Sequence, residues 1–195
     1  MALFGKERFP KEYQKKVGFS ARDLLHKNSQ ELVKILNNHL LLSDNLKVFE
    51  LGAGPARNLF YIWKENNTIS INCNDLSRNA SFENMNDEIK MVLNFIEGDS
   101  EVVIRDHIIN DIDIFLVSDH FMHLQREKAS FIINHIMNEW KPKYILLREV
   151  KKDFEAVNHP KLYHNYDSFF ESYNMIHEQS SINDETYFIL LLKRK

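Results

Sequence analysis

Val48-Phe-Glu-Leu-Gly-Ala-Gly-Pro-Ala56 is the stretch of sequence that decides the fold of this chain. Its first residues belong to the mostly apolar run Lys47–Leu51, which predicts a buried strand. Gly52 and Gly54 predict a tight turn after that strand. The next segment, Arg57–Lys64, has helical periodicity. A glycine turn lets the backbone approach a ligand closely, and a helix start offers unpaired N–H groups. The stretch therefore predicts a ligand-binding loop at the carboxyl end of a strand.

Short apolar runs alternate with amphipathic segments on both sides of this loop. The predicted strands are Lys47–Leu51, Ile69–Asn74, Asn94–Glu97, Ile112–Ser118, Tyr144–Leu147, Asn174–Ser180 and Tyr187–Lys193. The predicted helices are one that begins at an Asn28/Glu31 capping box, then Arg57–Lys64, Phe82–Ile89, Val102–Ile109 and Ala129–Trp140. This alternation is typical of a parallel α/β sheet with helices on both faces. Because no predicted helix separates the last two strands, we expect the final strand to be antiparallel.

Composition narrows the class of protein. A length of 195 residues suits one domain, 1–195, in which 1–27 form an N-terminal arm that could cover a substrate. The net charge of −3 disfavours a nucleic-acid partner, because proteins that bind nucleic acid usually carry a basic face. No apolar run reaches the roughly 18 residues that span a membrane, and no signal-peptide core is present, so a cytoplasmic location is predicted. The single cysteine, Cys73, is predicted to be a small buried side chain.

The residue after Ala56 separates two cofactor classes. A dinucleotide-binding fingerprint, Gly-x-Gly-x-x-Gly, requires glycine or alanine at its last position, where helix and strand pack closely. Here that position is Arg57, a large side chain, which argues against a nucleotide-binding oxidoreductase.

The acidic Glu50 and the small residues that follow it resemble the first motif of class I S-adenosylmethionine (SAM) dependent methyltransferases, Glu/Asp-x-Gly-x-Gly-x-Gly. Ala56 replaces the third glycine. The resemblance implies that SAM binds at this loop and that the start of the next helix contacts the methionine carboxylate of SAM. The contacts implied here are Glu50, Gly52, Ala53, Gly54 and Asn58. Arg57 could also contact the methionine carboxylate, and the alternative is that it lies on the surface.

Two further acidic residues follow predicted strands. Asp75, with Leu76 beside it, resembles the family's acid that holds the ribose hydroxyls, a task for which a carboxylate has two acceptor oxygens. Asp99 and Ser100 resemble the motif that contacts adenine. For each aspartate the alternative is a helix cap.

The run Asp113-Ile-Phe-Leu-Val-Ser-Asp-His120 resembles the family's fourth motif, which lies beside the reacting methyl group. Ser118 is the cofactor contact that it implies. Asp119, His120 and His123 are the candidate catalytic residues, because a histidine titrates near neutral pH and can accept a proton. The alternative is that these histidines pack at the sheet edge or contact solvent.

The resemblance covers roughly residues 28–195 and implies a Rossmann-like, seven-stranded, mostly parallel sheet of order 3-2-1-4-5-7-6. It implies SAM as cofactor, S-adenosylhomocysteine (SAH) as product, and no metal. No Asn-Pro-Pro-Tyr-like motif is present, which disfavours the branches of the family that methylate adenine N6 or glutamine. A small-molecule methyl acceptor is therefore predicted. Two aromatic regions could close over it, or could pack as an ordinary arm and helix: Phe9, Tyr13 and Phe19, and then Tyr163, His164, Tyr166, Phe169 and Phe170. The acceptor atom and the oligomeric state stay open.

A second hypothesis is a non-catalytic protein of the same fold, acting as a partner or regulatory subunit. Such proteins often lose the loop glycines or the ribose acid. Here Gly52, Gly54 and Asp75 are present, which favours an active enzyme.

Overall fold

The structure is a computed structural model that describes residues 19–106, 109–152, 154–155, 160–161, 163–164, 166–182 and 186–195. Its helices are α1 (Phe19–Asn38), α2 (Arg57–Glu65), α3 (Arg78–Glu83), α4 (Asp87–Lys90), α5 (Ser100–Asp106), α6 (Arg126–His135) and α7 (Asp167–Ser172). Its main strands are β1 (Lys47–Leu51), β2 (Ser70–Asp75), β3 (Asn94–Glu97), β4 (Ile114–Ser118), β5 (Tyr144–Val150), β6 (Tyr173–Ser180) and β7 (Tyr187–Arg194). A separate two-residue ladder joins Phe154–Glu155 to Pro160–Lys161.

The seven main strands form one sheet in the order β3-β2-β1-β4-β5-β7-β6. Strand β7 is antiparallel to both β5 and β6, and the other neighbouring pairs are parallel. The predicted order and the antiparallel final strand are therefore confirmed. Leu51, the last residue of β1, pairs with Asn74 of β2 and Val117 of β4. The carboxyl ends of these three strands thus lie side by side, where an open parallel sheet binds its ligands.

Successive strand residues point to opposite sides of the sheet, and in the central strands β1, β4 and β5 the residues on both sides are buried. On one face Phe49 stacks on Phe115, and Trp140 meets both rings edge-on. On the other face Val48 belongs to a second apolar cluster, which includes helix α1. Burial on both sides explains why the strands read as continuous apolar runs in the sequence.

The start of helix α1 differs from its prediction. Asn28 and Glu31 lie inside this helix, which already includes Phe19, so the predicted capping box is wrong. Glu31 instead accepts hydrogen bonds from Gln179 at the end of β6 and from Ser181 and Ile182 just after it. Residues 19–27 of the expected arm are therefore helical, while Phe9 and Tyr13 lie outside the described residues.

Three other predicted helices differ in their boundaries. The helix predicted over Val102–Ile109 is α5, which spans Ser100–Asp106. The predicted helix Phe82–Ile89 is broken into α3 and α4, because Asn86 caps a new turn by accepting from the N–H of Glu88. The predicted helix Ala129–Trp140 begins earlier, at Arg126, and its last turn is π-helical. None of the helices in the described ranges is both long and apolar enough to cross a membrane.

The aromatic segment before β6 contributes to the core. Tyr166, Phe169 and Tyr173 are almost completely buried, and Phe169 stacks on Tyr166. These rings join the cluster of Phe49 and Phe115. The contacts support the packing alternative for these residues over a substrate lid.

Candidate functional site

The loop after β1 is fixed to the end of β2 through its backbone. The N–H of Ala53 donates to the carbonyl of Asn74 at 3.0 Å, and the N–H of Gly54 donates to Oδ2 of Asp75 at 2.8 Å. Gly52, Gly54 and Ala56 all have positive φ angles, and helix α2 begins directly afterwards. The predicted strand, glycine turn and helix are therefore present, and the turn lies at the carboxyl edge of the sheet.

Glu50 is a buried acid, 2% exposed, beneath this loop. Its Oε1 accepts from Nδ2 of Asn58 at 2.6 Å, and Oδ1 of Asn58 accepts from Oγ of Ser29 at 2.7 Å. In the described part of the chain, the buried Oε2 of Glu50 has no hydrogen-bond partner. Burial raises the pKa of Glu50 to about 8, although Asn58 and the charge of Arg57 lower it. An unbonded buried carboxylate oxygen is costly, so it favours a ligand that brings a donor or a positive charge.

Asp75 joins the first two strand ends. Its Oδ2 accepts from Gly54, and its Oδ1 accepts from the N–H of Leu76 at 2.8 Å. Burial raises the pKa of Asp75, and the backbone hydrogen bonds partly offset that rise. A carboxylate offers about four acceptor positions, so Asp75 can hold the loop and still accept from a ligand. The side chain of Leu76 is 56% exposed beside it.

Asp99 at the end of β3 has partners within the chain. It caps helix α5 by accepting from the N–H of Glu101 at 3.0 Å, as the cap alternative predicted. Nζ of Lys128 also donates to both carboxylate oxygens, at 2.6 and 2.5 Å. Burial raises the pKa of Asp99, but the hydrogen bond and charge of Lys128 outweigh burial and leave it below the ordinary value. Lys128 was missed in the sequence, because it lies on helix α6, 29 residues away.

The imidazole of His120 lies directly on the glycine loop. A Cβ added at Gly52 would overlap the His120 ring, with Nδ1 as its nearest atom, so only glycine fits there. On the other side, Nε2 of His120 is 2.8 Å from Oγ of Ser100, which also bonds to Oδ1 of Asn74. The structure therefore brings together the predicted residues Gly52, Ser100 and His120 from three different strand ends.

Asp119 precedes His120 with φ 58° and forms an ion pair. Nη1 of Arg148 donates to its two carboxylate oxygens at 2.6 and 2.7 Å. Arg148 is 2% exposed and stacks over the ring of Tyr187 at 4.2 Å. Ser118 also donates to Asp119, at 3.3 Å. The charge of this candidate catalytic acid is thus neutralised within the chain.

The turn that carries the candidate histidines continues into a short 3-10 helix, Phe121–His123. His123 ends it, half-buried, and donates its N–H to the carbonyl of His120 at 3.0 Å. Glu149 of β5 is completely buried against the same turn. Arg148 and Glu149 were missed as site residues, although two charges that continue a buried apolar strand are a signal in the sequence.

The described residues contain no group of three or more histidine, cysteine, aspartate or glutamate side chains arranged to hold a metal ion.

Comparison with known proteins identifies the fold. No family model matches the sequence, and no curated protein matches it either. Solved structures do match. Magnesium protoporphyrin IX methyltransferase from Synechocystis PCC 6803, solved with bound SAH, has a TM-score of 0.69 at 15% identity, over 92% of this chain and 88% of that one. The 1,6-didemethyltoxoflavin-N1-methyltransferase of Burkholderia thailandensis, with its substrate and SAH bound, has a TM-score of 0.68 at 12% identity, over 94% and 86%.

An O-methyltransferase family protein from Burkholderia thailandensis has a TM-score of 0.65 at 17% identity. The match covers 94% of this chain but only 62% of that protein's length. At these identities the likeness concerns the fold. The chain has the Rossmann-like fold of class I SAM-dependent methyltransferases, as its sequence motifs predicted.

Proposed function

We propose that this chain binds SAM at the carboxyl edge of β1, β2 and β3 and transfers its methyl group to a small-molecule acceptor. The observation that carries the proposal is the buried Oε2 of Glu50, which has no hydrogen-bond partner among the described residues. It lies beside a glycine loop in a fold whose neighbours were solved with SAH bound. SAM carries two positive groups, an ammonium and a sulfonium, and either suits a buried carboxylate.

The other residues of the edge suit the remaining parts of SAM. Asp75 has acceptor capacity for ribose hydroxyls. Asp99 and Ser100 follow the neighbouring strand β3, and we place the adenine beside them. The backbone of Gly52, Ala53 and Gly54, together with Asn58 and Arg57, would surround the methionine part, and Leu76 and Ser118 would line its flanks.

Bound SAM supplies an electrophilic methyl group, so the main task of the chain is to align the acceptor with it. His120 is well placed to form a wall of the cofactor pocket, since Nδ1 faces Gly52 and Nε2 faces Ser100. Asp119 is fixed by Arg148 and would orient the turn. His120, and after it His123 at the end of the turn, stay our candidates for removing a proton from the acceptor where the acceptor arrives protonated.

One observation favours a second candidate function, a SAM-binding protein without catalysis. Asp119 is neutralised by Arg148, and Asp99 is bonded by Lys128, so two predicted site acids are already engaged. The small-molecule acceptor and the cytoplasmic location stay predictions under either function.

A methyl-transfer assay with radiolabelled SAM tests the proposal. The purified chain is incubated with a panel of phenolic, amine and thiol acceptors, and SAM and SAH affinities are measured in parallel by calorimetry. The proposal expects binding of both and transfer to at least one acceptor class. Binding without any transfer would favour the second candidate, and absence of binding would reject both.

A further inference from the structure

One buried carboxylate holds the backbone of the turn that carries His120. Oε1 of Glu149 accepts from the N–H groups of His120 at 3.0 Å and Phe121 at 2.9 Å. Its Oε2 accepts from the N–H of Met122 at 3.1 Å. The first N–H groups of a helical turn have no partner inside the turn, so this acid satisfies all three at once.

The same turn is held from its opposite side. Nε2 of His164 lies 2.7 Å from the carbonyl oxygen of Phe121, and both residues are buried. Burial and the charge of Asp119 raise the pKa of Glu149 to about 8, against the three backbone hydrogen bonds that lower it. A buried acid of this kind is costly without its donors, so its geometry and that of the turn depend on each other.

The position of the His120 ring depends on this turn. Its imidazole meets the backbone of Gly52 and Oγ of Ser100, both at the edge where we place SAM. A displacement of the His120 backbone by a fraction of an ångström would move the ring against Gly52, which leaves no space for a Cβ.

We propose that Glu149 is a positioning residue for the cofactor pocket, which it shapes by holding the His120 turn so that the imidazole lies on Gly52. Glu149 acts through His120 and does not itself touch the ligand. This proposal rests on the proposed function, because it assumes that SAM binds beside His120. The effect of Glu149 on the His120 turn can nevertheless be measured without any ligand.

The chain contains a matched control for this acid. Glu31 is also buried and also accepts three hydrogen bonds, from Nε2 of Gln179, Oγ of Ser181 and the N–H of Ile182, at 2.8, 2.8 and 2.7 Å. These partners lie at the end of β6 or just after it, at the opposite edge of the sheet from β3. Glu31→Gln therefore disturbs a comparable buried cluster without altering the contacts of the His120 turn.

The experiment compares Glu149→Gln, Glu31→Gln, His120→Ala and the double variant Glu149→Gln/His120→Ala in the full chain. Amide hydrogen exchange is measured at residues 120–122, and SAH affinity is measured by calorimetry. Glutamine leaves one acceptor oxygen for three donors. We expect exchange of these amides to be at least about tenfold faster and SAH binding to be about tenfold weaker, as for the loss of one buried hydrogen bond. Glu31→Gln should change neither quantity.

The double variant separates positioning from a general structural role. If Glu149 acts through His120, adding Glu149→Gln to His120→Ala should leave SAH affinity within about twofold, because coupled residues are not additive. An equal loss in both backgrounds, or the same loss in Glu31→Gln, would overturn the proposal. Should Glu149→Gln fail to fold, Glu149→Asp, which keeps the carboxyl group but is one methylene shorter, replaces it with the same expectations.

Failure of the SAM site can be told apart from failure of this inference. If the wild-type chain binds no SAH, the proposed function fails, and exchange at residues 120–122 alone then decides about Glu149. Unchanged exchange in the Glu149 variant would overturn the inference, and faster exchange confined to this turn would support it.

Discussion

The two halves of the carboxyl edge use their acids in opposite ways. In the first half, at the ends of β1 and β2, Glu50 has a buried oxygen without a partner in the described chain, and Asp75 accepts from backbone N–H groups. In the second half, at the ends of β4 and β5, Asp119 is paired with Arg148, and Glu149 accepts three N–H groups. The first half keeps acceptor capacity for a ligand, whereas the second is satisfied by the chain itself.

This difference separates binding from positioning. A buried acid without its full set of donors gains most from a ligand, since the ligand replaces lost hydration. An acid with its donors in place gains little from a ligand but fixes the backbone around it. We therefore assign cofactor recognition to the first half and the geometry of the methyl-transfer site to the second, with His120 lying between them.

We expect the largest effect from a variant that disturbs the contact between the two halves, where the His120 ring lies on Gly52. Gly52→Ala places a Cβ inside the His120 ring, so SAH affinity should fall by at least about 100-fold. Gly54→Ala is the matched control, because Gly54 also has a positive φ but has open space where its Cβ would lie. It should lose no more than about tenfold, the cost of backbone strain alone. Equal losses in the two variants, measured by calorimetry, would contradict the contact.

Breaking the ion pair of the second half should have the next largest effect. Arg148→Met leaves Asp119 without its guanidinium, and we expect the free energy of unfolding to fall by about 2–3 kcal/mol, less than for a fully buried pair because Asp119 is partly exposed. Urea unfolding measures it. Adding Asp119→Asn should restore part of the loss, and a fall below about 0.5 kcal/mol in the single variant would argue against a satisfied second half.

Removing the charge of Asp75, in the first half, should weaken ligand binding more than it lowers the stability of the fold. Asp75→Asn keeps one acceptor oxygen but removes the charge, and SAH affinity should fall by about tenfold. Glu97→Gln, an exposed acid in the strand beside β2, is the control and should leave affinity unchanged. If Asp75→Asn binds SAH as tightly as the wild type, Asp75 only fastens the loop.

The last prediction concerns the pH dependence of the free energy of unfolding. The pKa of Glu50 rises from 4.5 to about 8 on folding, so between these values the folded chain binds a proton that the unfolded chain has released. The free energy of unfolding should therefore fall as pH rises from about 5 to 8, by at most about 1.4 kcal/mol per pH unit for this group. Glu50→Gln should flatten the profile by that amount, as followed by urea unfolding across this range. An unchanged slope would show that Glu50 is ionised in the folded chain.

The first half of the edge could be predicted from the sequence because its residues are close along the chain. Glu50, Gly52 and Gly54 form one short motif, and Asp75 follows the next apolar run. The antiparallel last strand also followed from a local pattern, because the missing helix is visible in the sequence. The strand order was implied by the resemblance to the methyltransferase family.

The second half could not be predicted, because its contacts join distant residues. Arg148 and Glu149 meet Asp119 and His120 across 29 residues, through the register of β4 and β5. The prediction that α1 begins at Asn28 was wrong for a similar reason. Asn28 and Glu31 form a local capping pattern, but the tertiary hydrogen bonds of Glu31 to the segment after β6 determine its role.

Calorimetric titration of SAH into the wild-type chain and Glu50→Gln, at pH 7 in buffers of different ionisation enthalpy, tests the central claim most directly. A bound ammonium beside Glu50 would favour its ionised form, so we predict that wild-type binding releases close to one proton. Glu50→Gln should bind about tenfold more weakly and release none. No SAH binding, or equal binding and proton release in both chains, would contradict the assignment of the first half as the cofactor site.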